Sequence, residues 1–288
     1  MSEEIAWLAS KKAELFLVQQ GYTTLPIDPF QIAKDLSIEV KAKPATAPGV
    51  SGMLLRHGDN FGILYATCYA NEGFEKFSVA HELGHYLLEG HIDHVLPEDG
   101  IHESRAGFLS SDPYEMEADR FAAALLMPAD LFKRACTRLS DGLDAIETMA
   151  SLCNASMTTT AIRFAQLAPT CMAIVMSSGT TIDYCFMSES LKTMGGVEWL
   201  RKNEPIPNGV ETGRFNANSG NVEQAHRVVR DVDLQDWFGG QRSLPGTEEI
   251  LGLGRYGRTL TVLTTDVLSD DEDEDEELEE SWEIRFRR

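Results

Sequence analysis

The sequence predicts an α+β fold, and three observations carry that expectation. Apolar residues recur at helical spacing over 3–20, 72–90 and 112–127. After Cys171 the pattern changes to short β-rich runs. The two regimes meet near Pro169, where a domain boundary is expected, and 288 residues are enough for two domains of moderate size.

In chain order, residues 3–20 place Ile5, Leu8, Leu15, Phe16 and Val18 at helical intervals and stop at Gly21, a C-terminal signal. Pro26-Ile27-Asp28-Pro29 turns the chain into a short helix through Ile32, Ala33 and Leu36. Strand-like pieces follow at Ile38–Val40, Met53–Arg56 and Phe61–Tyr65, the last two joined through His57-Gly58-Asp59-Asn60 as a hairpin. Residues 72–90 predict a helix with Phe74, Phe77, Ala80, Leu83, Leu87 and Leu88 on one broad apolar face. The stretch 91–111, rich in His, Asp, Gly and Ser, reads as a loop. Asp112-Pro113 supplies an N-cap and a proline at the first helical position of a helix running through Phe121 to Met127, and Pro128 opens another short one. Small helices are expected at Asp144–Cys153 and Met157–Leu167, with a break at Asn154. Strands are expected at Met172–Met176, Ile182–Met187, Thr259–Thr264 and Trp282–Phe286, whereas 195–257, dense in Gly, Asn and Pro, shows no readable period.

Composition narrows the functional classes. Hydrophobic residues make up 43%, which excludes wholesale disorder. The five cysteines (Cys68, Cys136, Cys153, Cys171, Cys185) are scattered, so they suggest neither a disulfide framework nor a cysteine metal site. The N-terminal Met-Ser-Glu-Glu-Ile-Ala-Trp lacks the basic and apolar regions of a signal peptide, and no apolar run approaches the roughly 18 residues that span a bilayer. A cytoplasmic protein with no membrane partner is expected. The formal net charge is −21, but ten of the eleven residues from Asp270 to Glu280 are acidic, so the remainder carries −11. That balance disfavours phosphate backbones, and no direct nucleic-acid ligand is expected. The acidic run reads as a solvated loop, because Trp282, Ile284 and Phe286 beyond it alternate with charged residues as a half-buried strand does.

The chemistry-bearing motif is His81-Glu82-Leu83-Gly84-His85, in the middle of the 72–90 helix. Residues four apart on a helix lie about 40° round the axis and about 6 Å along it, so two imidazoles can converge on one ion. Zinc suits such a pair, because it takes neutral imidazole and keeps a position open for water. Glu82, beside the first ligand, is placed to take a proton from that water without binding the metal. By chance this pattern arises in roughly one or two chains per hundred of this composition, so its helical setting is what raises it above coincidence.

A third ligand is required, and three candidates are open. His91 lies ten residues after His81, as in metzincins, but that class needs glycine at the position Leu88 occupies. Glu115, in Glu115-Met116-Glu117-Ala118-Asp119, has the Glu-x-x-x-Asp arrangement of gluzincins, with Asp119 one turn on to orient a ligand histidine. Asp112-Pro113-Tyr114-Glu115 also reads as a capping pattern. Glu117 lies about 200° round the helix from Glu115, so the two cannot both face one metal. The order of preference is Glu115, His91, Glu117. His94 and His102, in the expected loop, are assigned no role.

These segments, with Arg120-Phe121-Ala122, Leu125-Leu126-Met127-Pro128 and Leu25-Pro26-Ile27-Asp28-Pro29, resemble the ImmA/IrrE metallopeptidases. The resemblance is closest over residues 20–130, and Asp119 stands where the family usually has Asn. It implies a zincin-like zinc metallopeptidase domain over residues 1–139, a helical helix-turn-helix-like segment at 140–169 and a GAF-like sensory domain at 170–288 that includes the acidic loop 270–280. It further implies Zn2+ held by His81, His85 and Glu115, with catalytic Glu82 and Asp119 behind the ligands. The implied activity is a cytosolic endopeptidase that cuts a helix-turn-helix transcriptional repressor in a stress-response or mobile-element switch. The alternative is a DNA-binding or ligand-sensing regulator with a degenerate peptidase domain. Against DNA binding, the expected recognition helix Met157–Leu167 has one basic residue, Arg163, where a phosphate-positioned module has several.

Overall fold

The computed structural model describes residues 3–43, 50–67, 71–96, 100–105, 110, 112–194 and 196–266. Its contacts divide the chain into two compact units: Met1–Ser140 with Ala145–Arg163, and Asp141–Asp144 with Phe164–Arg288. Cys68, the acidic run 270–280 and the expected strand at Trp282–Phe286 lie outside the described residues.

In the first unit, helix α1 (Glu3–Gln19) is followed by α2 (Pro29–Asp35), which opens with Asp28 accepting a hydrogen bond from the Phe30 N–H at 3.0 Å and Pro29 in the first position. The sheet contains β1 (Glu39–Lys43), β2 (Gly52–His57), β3 (Asn60–Ala66) and β4 (Ile101–Ser104), in the order β1-β3-β2-β4. The expected hairpin is present: His57 pairs with Asn60, and Gly58 takes φ +61° in the two-residue turn between them. Strand β1 is parallel to β3, and β4 runs antiparallel to β2 on the far side, with His102 opposite Leu54.

Helix α3 (Glu72–Leu87) starts at Asn71, whose side chain accepts from the Phe74 N–H at 3.0 Å. It packs on β2 and β3, and buries Phe77, Val79, Ala80 and Leu83. The helix ends three residues short of the sequence expectation, at Leu87, because Leu88 is extended and Gly90 adopts φ +80°. Gly90 then opens α4 (His91–Val95), so the expected loop 91–111 contains a helix and the edge strand β4. Neither is long enough to show a period, and β4 is fixed by pairing to a strand some fifty residues earlier. Helix α5 (Pro113–Leu126) is capped by Asp112, which accepts from the Tyr114 N–H at 2.9 Å, and packs against both α1 and α3. At the crossing with α3, a Cβ on Gly84 would sit 3.2 Å from the Ala118 Cα and 3.3 Å from the Phe121 ring. The glycine of the His-Glu motif therefore lets the two helix backbones approach closely.

Helices α6 (Ala129–Cys136), α7 (Leu143–Cys153) and α8 (Met157–Leu167) follow. The expected helical segment 140–169 is divided by the contacts, with residues 145–163 grouped in the first unit. Arg163, the basic residue of α8, is buried: it donates to the Met127 carbonyl at 2.9 Å and to Glu14 at 3.0 Å. Burial pulls its pKa down to about 10, with Glu14 opposing, so it remains a guanidinium paired inside the unit.

The second unit holds β5 (Cys171–Ser178), β6 (Thr181–Met187), helices α9 (Glu189–Thr193), α10 (Glu211–Asn216) and α11 (Ser219–Glu223), then β7 (Arg227–Asp233), α12 (Gln235–Phe238), β8 (Pro245–Gly252) and β9 (Thr259–Thr265). All five strands pair antiparallel in the order β6-β5-β9-β8-β7. Cys171, Ala173 and Val175 of β5 face a cluster with Leu191, Trp237, Phe238 and Leu263, and Phe215, Val222 and Ile250 form a second cluster. The segment 195–257 hides two strands because neither alternates cleanly: β7 is mostly exposed, and β8 buries Glu248 where an apolar residue is expected. Among the described residues, no helix is long and apolar enough to cross a membrane.

Candidate metal centre

The middle of α3 is enclosed on all sides, so His81, Glu82 and His85 are each 0% exposed. Their spacing does what helical geometry requires: His81 Nε2 and His85 Nε2 lie 3.1 Å apart. Glu115, near the start of α5, completes a triangle, with Oε2 3.3 Å from His81 Nε2 and Oε1 3.3 Å from His85 Nε2. Ligands at about 2.0–2.1 Å from a tetrahedral ion are separated by roughly 3.3 Å, so these three donors fit a cation of zinc's size. Among the described residues they form the one group of three or more potential ligands close enough to share an ion. The donor set is two imidazoles and a carboxylate, three protein ligands where a closed structural zinc site has four.

Asp119, one turn after Glu115, is buried, and its Oδ1 lies 2.9 Å from His81 Nδ1. This contact fixes the His81 tautomer so that Nε2 faces the other donors. Asp112, rather than Glu115, caps the helix, which frees the Glu115 carboxylate to point at the histidines. His91 and Glu117 stand outside the donor triangle. His91 Nδ1 is 3.1 Å from His85 Nδ1, and His91 Nε2 is 3.4 Å from Glu117 Oε2. The early end of α3 therefore brings His91 back against His85, where a continuous helix would have carried it away. His102 Nε2 lies 2.9 Å from Glu115 Oε1, a site contact the sequence reading did not assign. His94 stacks on Tyr114 with ring centroids 3.7 Å apart.

The charges of the cluster follow from burial set against hydrogen bonding. Burial lowers the His81 pKa, but the hydrogen bonds to Asp119 and Glu115 outweigh it and raise the group to about 10. Burial lowers His85 to about 3 against the pull of Glu115, so this imidazole is neutral and ready to ligate. His91 is lowered by burial, with Glu117 opposing. Glu115 would be raised by burial, yet its contacts with His102, His81 and His85 hold it far below the ordinary carboxylate range.

Glu82 differs from its neighbours. It is fully buried, and among the described residues neither carboxylate oxygen makes a well-formed hydrogen bond, the Ser104 hydroxyl coming near enough only to pull its pKa down a little. Burial raises it to about 7, with the nearby His81 charge pulling the other way, which suits a base working near neutral pH. Room for the side chain comes from β2, where a Cβ on Gly52 would sit 2.4 Å from Glu82 Oε1. Neither Gly52 nor His102 was readable beforehand, because both reach the site through sheet pairing rather than through spacing along the chain.

Residues 33–165 match the family model described as Peptidase_M78, the IrrE N-terminal-like domain. No individual curated protein matches the chain. Among solved structures, a Mycobacterium tuberculosis transcriptional regulator overlays with a TM-score of 0.57 at 17% identity, covering 89% of this chain and 76% of that one. At that identity the likeness concerns the fold.

Proposed function

We propose, on the premise that residues 33–165 are an IrrE N-terminal-like domain of the ImmA/IrrE metallopeptidase family, that this protein is a zinc-dependent endopeptidase. In this reading His81, His85 and Glu115 hold Zn2+, Asp119 orients His81, and Glu82 is the general base. The observation that carries it is the triangle of donors at 3.1–3.3 Å beside a buried carboxylate that makes no well-formed hydrogen bond among the described residues. The chemistry a bound zinc ion supplies is Lewis-acid polarisation of the scissile carbonyl and of the attacking water. Glu82 takes the proton of that water at a carboxylate oxygen and returns it to the leaving amine, and the enclosing walls keep bulk water from competing for the base.

The substrate in this reading is a cytosolic helix-turn-helix repressor, cut once, and the five-stranded unit after Cys171 is a GAF-like sensory module that controls access. Support for the module is its separate core and its mixed sheet-and-helix make-up. A peptidase working in the cytosol needs such restraint, because it shares that compartment with other proteins. The test is a comparison of protein N-termini in cells carrying the wild-type chain or its Glu82→Gln variant. One new N-terminus, inside a small helix-turn-helix protein and absent in the variant, is the expected result. New termini spread over many unrelated proteins would count against a dedicated repressor peptidase.

A second reading, a DNA-binding regulator with a degenerate peptidase domain, is favoured by the name of the overlaid regulator. The burial of Arg163 opposes it, because the basic residue of α8 is committed to Glu14 and the Met127 carbonyl. A gel shift at low salt separates the two, since phosphate contacts are strongest there.

A further inference from the structure

Helix α5 presents three carboxylates at alternate positions, and the structure gives each a different task. Glu115 joins the donor triangle, and Asp119 meets His81 directly. Glu117, on the opposite face, meets His91, and His91 in turn meets His85. Resting on the metal-centre reading above, we infer that His91 and Glu117 form a relay that positions the metal ligand His85, as Asp119 positions His81.

The hydrogen-bond inventory fixes the direction of the relay. With Nε2 of His85 turned to the other donors, its single ring proton lies on Nδ1 and must be donated. The only ring atom of His91 within reach is Nδ1, at 3.1 Å, so that atom accepts. The proton of His91 then lies on Nε2, which donates to the Glu117 carboxylate at 3.4 Å. Every ring nitrogen of the two histidines is used, inside a pocket where His85 is 0% and His91 is 1% exposed. The hydrogen bond to His91 holds the His85 ring in one rotamer and makes its Nε2 a better donor, the role outer partners play for metal-bound histidines. His91 and Glu117 are positioning residues, since neither touches the donor triangle. The Gly90 turn that ends α3 is what seats His91 there.

The test is metal affinity, measured by chelator competition with Co2+ and Zn2+ on the full chain, together with the visible spectrum of the Co2+ form. His91→Phe keeps a ring of similar size and removes the acceptor, so affinity should fall about 10–100-fold and the Co2+ bands should shift. His91→Asn returns an oxygen close to the lost Nδ1 and should recover most of the affinity. Glu117→Ala should weaken binding less than His91→Phe, and it decides the matter if His91→Phe fails to fold. His81→Ala and Glu115→Ala serve as controls. If they abolish binding while His91→Phe and Glu117→Ala stay within twofold of wild type, the relay is wrong and the metal centre stands. If the controls retain full affinity, the metal-centre reading and the relay fall together. Loss of metal in His91→Phe as complete as in His85→Ala, without rescue by Asn, would make His91 a ligand and overturn the relay.

Discussion

Two glutamates, one in each unit, are buried to the same degree and could hardly be treated more differently. Glu248 on β8 is 1% exposed and accepts hydrogen bonds from the Glu211 N–H at 3.1 Å, the Thr212 N–H at 2.8 Å and the Thr212 hydroxyl at 2.7 Å. The Thr212 hydroxyl is linked on to Thr261, 2.7 Å away, so this polar network closes on itself at the start of α10. Glu82 on α3 is 0% exposed and, among the described residues, has no such network, only the weak approach of the Ser104 hydroxyl. A buried carboxylate without hydrogen bonds costs several kcal/mol, and a fold keeps one only where something other than stability requires it. The satisfied glutamate is part of the framework, and the other is the one the proposed function uses as its base.

Substitutions can break this contrast or sharpen it. The largest effect is expected at Glu82. Glu82→Gln should lower peptide cleavage about 10²–10⁴-fold, the range for loss of a general base, while leaving thermal stability unchanged or higher. A marked loss of stability would mean that Glu82 is a framework residue like Glu248. Gly52→Ala comes next, because the new Cβ would sit 2.4 Å from Glu82 Oε1 and the end of that side chain is the part able to move. A displacement of about 1 Å is expected to cost about 10²-fold in kcat with metal content preserved. Wild-type kcat in Gly52→Ala would show that the glycine does not set the position of the base.

At Glu248 the expectation is reversed. Glu248→Ala takes the acceptor from the Glu211 and Thr212 N–H groups at the head of α10 and should destabilise the second unit by about 1.5–3 kcal/mol in denaturant unfolding, without changing metal content. An unchanged midpoint would contradict the framework role. The smallest effect belongs to Gly84→Ala, where the Ala118 Cα is 3.2 Å from the added carbon. The α3–α5 crossing must open by a few tenths of an ångström, so metal affinity should weaken by less than tenfold while the chain stays folded. Loss of folding would mean that the crossing cannot give at all.

The parts of the site carried by local spacing were legible in the sequence. His81 and His85 are one helical turn apart, as are Glu115 and Asp119, and Asp112-Pro113 marks where the second helix must start. The parts carried by topology were not. His102 sits on a four-residue edge strand whose place depends on pairing with β2, and Gly52 matters only because β2 runs past α3. Its distance along the chain from His81 makes His91 a candidate ligand. The turn at Gly90, which sets it behind His85 instead, depends on a backbone conformation that spacing alone does not reveal. In the second unit, β8 escaped notice because inward-facing Glu248 breaks the apolar alternation, and its justification, Thr212, lies 36 residues away.

The central claim is that His81, His85 and Glu115 hold the metal while Glu82, in the same buried cluster, does not. Zinc per chain, measured side by side on wild type, His81→Ala, Glu115→Ala and Glu82→Gln after identical dialysis, tests it most directly. The account predicts close to one equivalent for wild type and Glu82→Gln, and a steep loss for the other two. Zinc retained in Glu115→Ala, or lost from Glu82→Gln as completely as from His81→Ala, would contradict it.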